Sequence, residues 1–276
     1  MIRQRAAWTA LVATAMLVRA GCVAAQAASR GTVEIGYGES RLSAGYGPWK
    51  DVYARAQLAS GADVWRVEAT HRRAFGDSGL FVGTGVTHLI DQSWYGSLGV
   101  GTSAGGFFFP RVYAGAALAR KWLARRQLVT TSALGYYGQK DAHRDLLWTG
   151  SAIYYFAHPA IVETGVIVGR SSPGGVVSQT PFVSAILGRP RQRTFTARLA
   201  AGREAYQRIG ADRALVAFSS QALSVGWREV IAADAGIAVQ LDHYRNPAYR
   251  RTGLTAGVFL GTALLDRVPR DTTQKP

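Results

Sequence analysis

The chain has 276 residues, 48% hydrophobic and 18% charged, with 32 glycines, 9 prolines and one cysteine. It is too apolar for disorder, and its glycine, well above the roughly 7% of ordinary chains, follows no three-residue period, which excludes collagen and low-complexity linkers. The formal net charge is +15, and Lys occurs only at Lys50, Lys121, Lys140 and Lys275, so arginine carries nearly all of the basic charge; that excess favours polyanionic neighbours without naming one.

The first element in chain order is an address. Arg3 and Arg5 precede an apolar run from Ala6 to Val18, and Ala25-Gln26-Ala27 offers small residues at the positions a signal peptidase reads. Residues 1–27 therefore read as a secretory signal peptide cleaved after Ala27. The run is shorter than the about 20 apolar residues a membrane helix needs. Cys22 follows Ala20-Gly21 as at a lipoprotein site, but Arg19 stands where such a site wants an apolar residue. Cleavage after Ala27 leaves a mature chain without cysteine, so neither disulfides nor thiolate metal sites are available to it.

From residue 30 onward the recurrent unit is a run of period 2, the mark of a strand with two different faces. Trp65, Val67 and Ala69 share one face, and Arg66, Glu68, Thr70 and Arg72 the other. The same division sets Val52, Ala54, Ala56 and Leu58 against Tyr53, Arg55 and Gln57, and Phe195, Ala197, Leu199 and Ala201 against Thr196, Arg198 and Glu204. It returns with Ile237, Val239 and Leu241 against Gln240, Asp242 and Tyr244. Strands are expected near 32–42, 51–59, 63–74, 80–89, 94–102, 111–122, 127–137, 145–156, 160–170, 180–187, 194–204, 221–230, 235–244 and 251–260. Neither a heptad pattern nor an apolar stretch long enough for a membrane helix interrupts them.

Alternation of this kind occurs in soluble sheets and in transmembrane barrels. Connections after even-numbered strands read as short, and those after odd-numbered strands as longer, up to the stretch from Ala205 to Ser220. Short periplasmic turns opposite longer external loops are the outer-membrane pattern. Trp49, Trp65, Trp94, Trp122, Trp148, Trp227, Tyr154 and Phe156 fall near strand ends, where interfacial girdles lie. The fold class expected is all-β: one transmembrane antiparallel β-barrel of about 14 strands, with 12 also defensible, spanning 28–262 and followed by a polar tail, 263–276.

Several short motifs carry a resemblance. Gly45-Tyr46-Gly47-Pro48-Trp49-Lys50-Asp51 within Leu42 to Tyr53, the turn Arg73-Ala74-Phe75-Gly76-Asp77, the step Gly202-Arg203-Glu204, and His243-Tyr244 through Tyr249, Arg251 and Gly253 together resemble the YaiO family of outer-membrane β-barrels. The resemblance implies an outer-membrane barrel of poorly defined physiological role. Its implied partners are outer-membrane lipid with lipopolysaccharide and the barrel-assembly machinery. Barrels of this kind commonly end on an aromatic residue used in assembly, whereas this chain runs past Phe259 into Leu264-Leu265-Asp266 and a polar end at Pro276.

The functional reading starts from the inward rows. Arg55, Arg66, Arg72, Arg198 and Arg228 are expected to face the lumen with Glu68, Glu204 and Asp242. Guanidinium rings lower the barrier to anions, so these residues suit a narrow channel for small anionic solutes or for export, a polysaccharide included. The alternative is a salt-bridged, closed lumen in a structural or surface-interaction barrel; fourteen strands lie between filled and open barrels. Rim arginines such as Arg144, Arg170, Arg213 and Arg250 suit the phosphates of lipopolysaccharide. A third reading, an outer-rim envelope-lipid hydrolase, draws on Asp77, Asp141, His143, Ser220 and His243, although no spacing pairs a nucleophile with a base. Gly101-Thr102-Ser103-Ala104-Gly105 fits a nucleophile elbow by pattern, but Gly106-Phe107-Phe108-Phe109-Pro110 cannot open the helix an elbow requires, so a small-residue external loop is expected there. The five histidines show no metal-ligand spacing. No catalytic residue, cofactor or metal is expected, and dispersed arginines in a secreted chain do not make a nucleic-acid face.

Overall fold

The computed structural model describes residues 30–189, 192–210, 213–232 and 234–261. The proposed signal peptide, Cys22 and the polar tail lie outside the described residues.

The chain forms a closed antiparallel barrel of 14 strands in sequential order, β1 pairing with β14. The strands are β1 (Arg30–Leu42), β2 (Trp49–Ser60), β3 (Asp63–Ala74), β4 (Asp77–Leu89), β5 (Trp94–Gly105), β6 (Val112–Trp122), β7 (Leu128–Gly138), β8 (Arg144–Tyr155), β9 (Ala160–Ser172), β10 (Val176–Gly188), β11 (Arg193–Arg208), β12 (Ala214–Ala232), β13 (Ala235–Arg245) and β14 (Arg250–Gly261). Closure leaves no sheet edge, so every strand has a hydrogen-bonded neighbour on both sides, the condition for crossing hydrocarbon with strands. No helix among the described residues is long and apolar enough to cross a membrane, which says nothing against crossing by strands. Below, the end where β1 begins and β14 finishes is the periplasmic end, and the connections after odd-numbered strands are external.

Period 2 becomes an inside-out division. Val33, Ile35, Val52, Leu58, Trp65, Val67, Leu80, Val82, Leu98, Val100, Leu134, Leu199, Leu223, Leu254 and Val258 are exposed on the outer wall. An exposed apolar band of this extent belongs in a bilayer. Trp65, Trp122, Trp148, Tyr154 and Phe156 are exposed with it, as interfacial aromatics are. At the periplasmic rim Arg120 lies over the rings of Trp122 and Trp94, with its guanidinium 3.7 and 5.2 Å from the centroids. That arrangement keeps an apolar stem against the girdle and a charged head at the interface.

Four expectations are corrected, the last at Gly101–Gly105. Connections are of similar length at both ends, from residues 75–76 to 43–48 outside and 61–62 to 123–127 inside, so the expected short-long alternation is absent. The stretch expected to be the longest loop is mostly strand: β11 runs to Arg208 and β12 starts at Ala214, extending one hairpin beyond its neighbours. Trp49 is no girdle residue but is buried, because it shares inward parity with Tyr53 and Arg55.

Glycine 101 shows how aromatic rings fit against the wall. Gly101 lies within β5, not in a loop, and a Cβ there would sit 2.5 Å from Phe81 on β4. The ring of Phe81 therefore lies over bare backbone. The same segment's Ser103 donates its hydroxyl to the carbonyl of Pro110 at 2.6 Å, so it is a structural serine at the end of the β5–β6 hairpin.

Candidate functional site: the lumen and its external cap

Register brings charges from widely separated strands into one mid-lumen belt. Arg55 on β2 stands opposite Glu34 on β1 and Glu68 on β3. Arg228 on β12 donates Nη1 to Glu34 Oε2 at 2.5 Å, while Tyr53 donates its hydroxyl to Glu34 Oε1 at 3.1 Å. Farther round, Ser184 on β10 stands between Arg198 on β11 and Glu163 on β9, and donates its hydroxyl to Glu163 at 3.4 Å. Arg66 on β3 lies within electrostatic reach of Tyr95, which in turn lies within reach of Glu163.

The guanidiniums are held by rings as much as by carboxylates. Arg228 lies 3.4 Å from the centroid of Phe259, Arg198 3.9 Å from Phe182, and Arg55 4.5 Å from Tyr53. Aromatic faces attract cations and fix their planes without neutralising them. Among the described residues Arg55, Arg66 and Arg198 form no ion pair, and one amino group of Arg66 is buried with no hydrogen-bond partner. Phe259, the aromatic residue nearest the chain end, points into the lumen beneath Arg228.

A second tier lies toward the external end. Arg72 donates to both carboxylate oxygens of Asp51, at 2.5 and 3.1 Å, between the rings of Trp49 and Phe109. Arg251 also lies over Trp49, 4.9 Å from its centroid. Gln240 donates to Asp242 at 2.9 Å. Asp145 accepts from Ser171 at 2.5 Å and Gln139 at 2.8 Å. Glu204 accepts from the hydroxyl of Tyr244 at 3.0 Å.

Above this tier the extended β11–β12 hairpin packs across the external mouth. Ala205, Tyr206, Gln207, Arg208 and Ile209 are buried in succession, on both faces of the strand, which a wall strand with one lipid face cannot be. The tip has left the wall and packs among the other external connections. Ile209 joins a buried cluster with Trp49, Ala74, Tyr244 and Tyr249, ringed by Tyr46, Phe75 and Phe108. Arg208 reaches the ring of Phe107 on the β5–β6 connection at 4.5 Å. Tyr206 packs 5.1 Å from His143 and donates its hydroxyl to the carbonyl of Pro173 at 3.3 Å. Gln207 donates to the Tyr249 hydroxyl at 2.6 Å and accepts from Asn246 at 2.5 Å. Tyr249 also meets Tyr46 at 5.6 Å and Phe75 at 5.9 Å, and burial holds its phenol well above the ordinary tyrosine range, so it stays neutral.

All eight residues named from sequence as lumen candidates, Arg55, Arg66, Glu68, Arg72, Arg198, Glu204, Arg228 and Asp242, lie on the inward face of their strands, in the two tiers just described. Glu34, Asp51, Asp145, Glu163 and Arg251 join them and were not anticipated. Four of these five are acidic, so the lumen is nearer charge balance than the arginine rows suggest. Parity carried the missing signal: Glu34 alternates with Val33 and Ile35, and Glu163 with Val162.

The rim residues do not converge. Asp77 accepts from the backbone of Ser78 and Phe107. Asp141 Oδ1 lies 3.2 Å from His143 Nδ1, Ser220 sits beside Glu204, and His243 faces outward with Thr252 at 3.0 Å. No cluster of three potential metal ligands occurs among the described residues.

Comparison with known proteins places this architecture. The family model described as the YaiO membrane beta barrel domain matches residues 30–207, the stretch from the first strand to the start of the cap. No curated protein sequence matches. In fold the chain is similar to a bacterial polysaccharide outer membrane secretin, at 9% identity and a TM-score of 0.51 over 83% of this chain and 97% of that one. Omp33 of Acinetobacter baumannii gives 8% identity and 0.49 over 83% and 97%, and OmpF of Salmonella typhi 9% and 0.48 over 85% and 97%. With the family matched over more than half its length, the chain belongs to the YaiO family of membrane β-barrels and resides in the outer membrane.

Proposed function

We propose that this barrel is a narrow channel for small anionic solutes, closed at its external mouth by the β11–β12 hairpin tip. The observation that carries the reading is the lumen set Arg55, Arg66 and Arg198, none of them in an ion pair: Arg55 and Arg198 lie over the rings of Tyr53 and Phe182, and one amino group of Arg66 is buried with no hydrogen-bond partner. A partly desolvated guanidinium with no directly paired carboxylate keeps unmet hydrogen-bonding capacity, which an arriving anion satisfies. Arg228 and Arg72, by contrast, are paired with Glu34 and Asp51 and serve the wall. A solute entering from outside displaces the tip; one leaving the periplasm meets it last.

A closed structural barrel is the second reading, favoured by the aromatic cap and by inward carboxylates that slightly outnumber the inward arginines named above. The two readings separate in a planar bilayer. Refolded protein, checked by heat-modifiable migration, is expected to give conductance steps with an anion-directed reversal potential in a salt gradient, and Arg66→Gln with Arg198→Gln to shift that potential toward zero. A folded protein that stays silent under every voltage and after trimming of the cap is the structural barrel.

A further inference from the structure

The outward face carries a second arginine site, on the lipid side of the wall. Register sets Tyr136 on β7, Leu146 on β8, Arg170 on β9 and Val177 on β10 side by side in one outward row, with Arg144 one step nearer the external rim on β8. Arg144 and Arg170 are exposed, and among the described residues their side chains make no ion pair or hydrogen bond. They flank a depression of about 270 Å³ floored by Tyr136 and Leu146. Asp145 also lines it, but its carboxylate is turned inward to Ser171 and Gln139 and does not neutralise the pair.

We infer that this depression binds the phosphate of a lipid A-type glycolipid in the outer leaflet. Two guanidiniums at the top of an apolar wall match a phosphorylated headgroup whose acyl chains run down beside Leu146, Trp148 and Val177, all exposed on the same face. Arginine grips phosphate bidentately, so two of them can hold one phosphate by paired charge-assisted bonds. Two other outward arginines of the rim, Arg245 and Arg250 on β13 and β14, stand as cross-strand neighbours of each other. A soluble anion fits less well, because Tyr136 and Leu146 of the lining belong to the apolar outer wall. The inference is independent of whether the lumen conducts.

The test uses the full refolded barrel in uncharged detergent, titrated separately with diphosphoryl lipid A, dephosphorylated lipid A and inorganic phosphate. Lipid A is expected to bind, and Arg144→Gln with Arg170→Gln to weaken it by about tenfold or more. Arg245→Gln with Arg250→Gln, which removes the same charge elsewhere on the rim, is expected to change affinity by less than about twofold. Lysine at 144 and 170 keeps charge but not the fork and is expected to fall between wild type and glutamine. Equal weakening by both glutamine pairs, undiminished binding of the dephosphorylated lipid, or inorganic phosphate saturating at the concentration of lipid A would each overturn the inference. Heat-modifiable migration of every variant confirms that the barrel compared is folded.

Discussion

Arg228 and Glu34 lie 194 positions apart in the chain, yet the guanidinium of one reaches the carboxylate of the other at 2.5 Å, from β12 to β1 across the inner face of β13 and β14. The β1–β14 pairing closes the cylinder through backbone bonds. This side-chain clip braces that closure from within, with Phe259 of β14 pressed beneath the guanidinium and Tyr53 of β2 on the other carboxylate oxygen.

Breaking the clip from one side should cost more than removing it. Glu34→Gln leaves Arg228 buried without its countercharge, and the partners are only 14% and 16% exposed, so a loss of about 3 kcal/mol is expected. Glu34→Gln with Arg228→Met should recover part of it, since the methionine can still cover Phe259. Urea unfolding in lipid vesicles measures both; an additive double variant would contradict a coupled pair.

The cap should open without unfolding the wall. Tyr249→Ala removes edge contacts to Tyr46, Trp49 and Phe75 together with the hydrogen bond from Gln207. Large-to-small changes at buried aromatics cost about 3–5 kcal/mol, here charged to the cap alone. Trypsin added outside vesicles is expected to cut at Arg208 or Arg213 in the variant while the wild type resists, with heat-modifiable migration unchanged.

Gly101→Val should impair assembly, because its side chain would begin 2.5 Å from Phe81 and 3.1 Å from the carbonyl of Val82. Overpacking of this kind costs about 1–3 kcal/mol. Phe81→Leu in the same chain should restore much of the folded fraction on unheated gels; a Gly101→Val barrel that assembles normally would show that the ring has room to move.

A pH effect is expected at the periplasmic turn between β4 and β5. The backbone amides of Ser93 and Trp94 donate to Asp91 at 2.5 and 2.8 Å and hold its carboxyl below the ordinary aspartate range. A lowered folded pKa means that the stabilisation is complete above the ordinary value and is lost as pH falls below it through the folded one. Asp91→Asn should therefore differ from wild type at neutral pH and converge with it in strong acid, as followed by thermal melting of the barrel.

Most of the wall was legible from period 2 alone, because lipid outside and polar lumen inside impose opposite demands on neighbouring residues. The cap was not, for the same reason. Once Tyr206, Gln207, Arg208 and Ile209 leave the wall and are covered on both sides, no face is left to alternate, and the segment reads as loop. Trp49 misled because an aromatic residue at a strand end suits a girdle or a cap equally, and only its parity with Tyr53 and Arg55 distinguishes them. The inward arginines were visible as rows, whereas Glu34 and Glu163, each the one inward acid of its strand, were not counted against them. Loop lengths argued for the right architecture through a pattern the structure lacks; closure and the apolar exterior are what support it.

The central claim, an anion channel shut by its own hairpin, is tested most directly by single-channel conductance of a variant in which residues 205–216 are replaced by a two-residue turn. The account predicts larger and more frequent openings than in wild type, with anion selectivity that weakens when Arg66 and Arg198 are replaced by glutamine. A folded, trimmed barrel that passes no current would contradict it and leave the lumen a filled structural core.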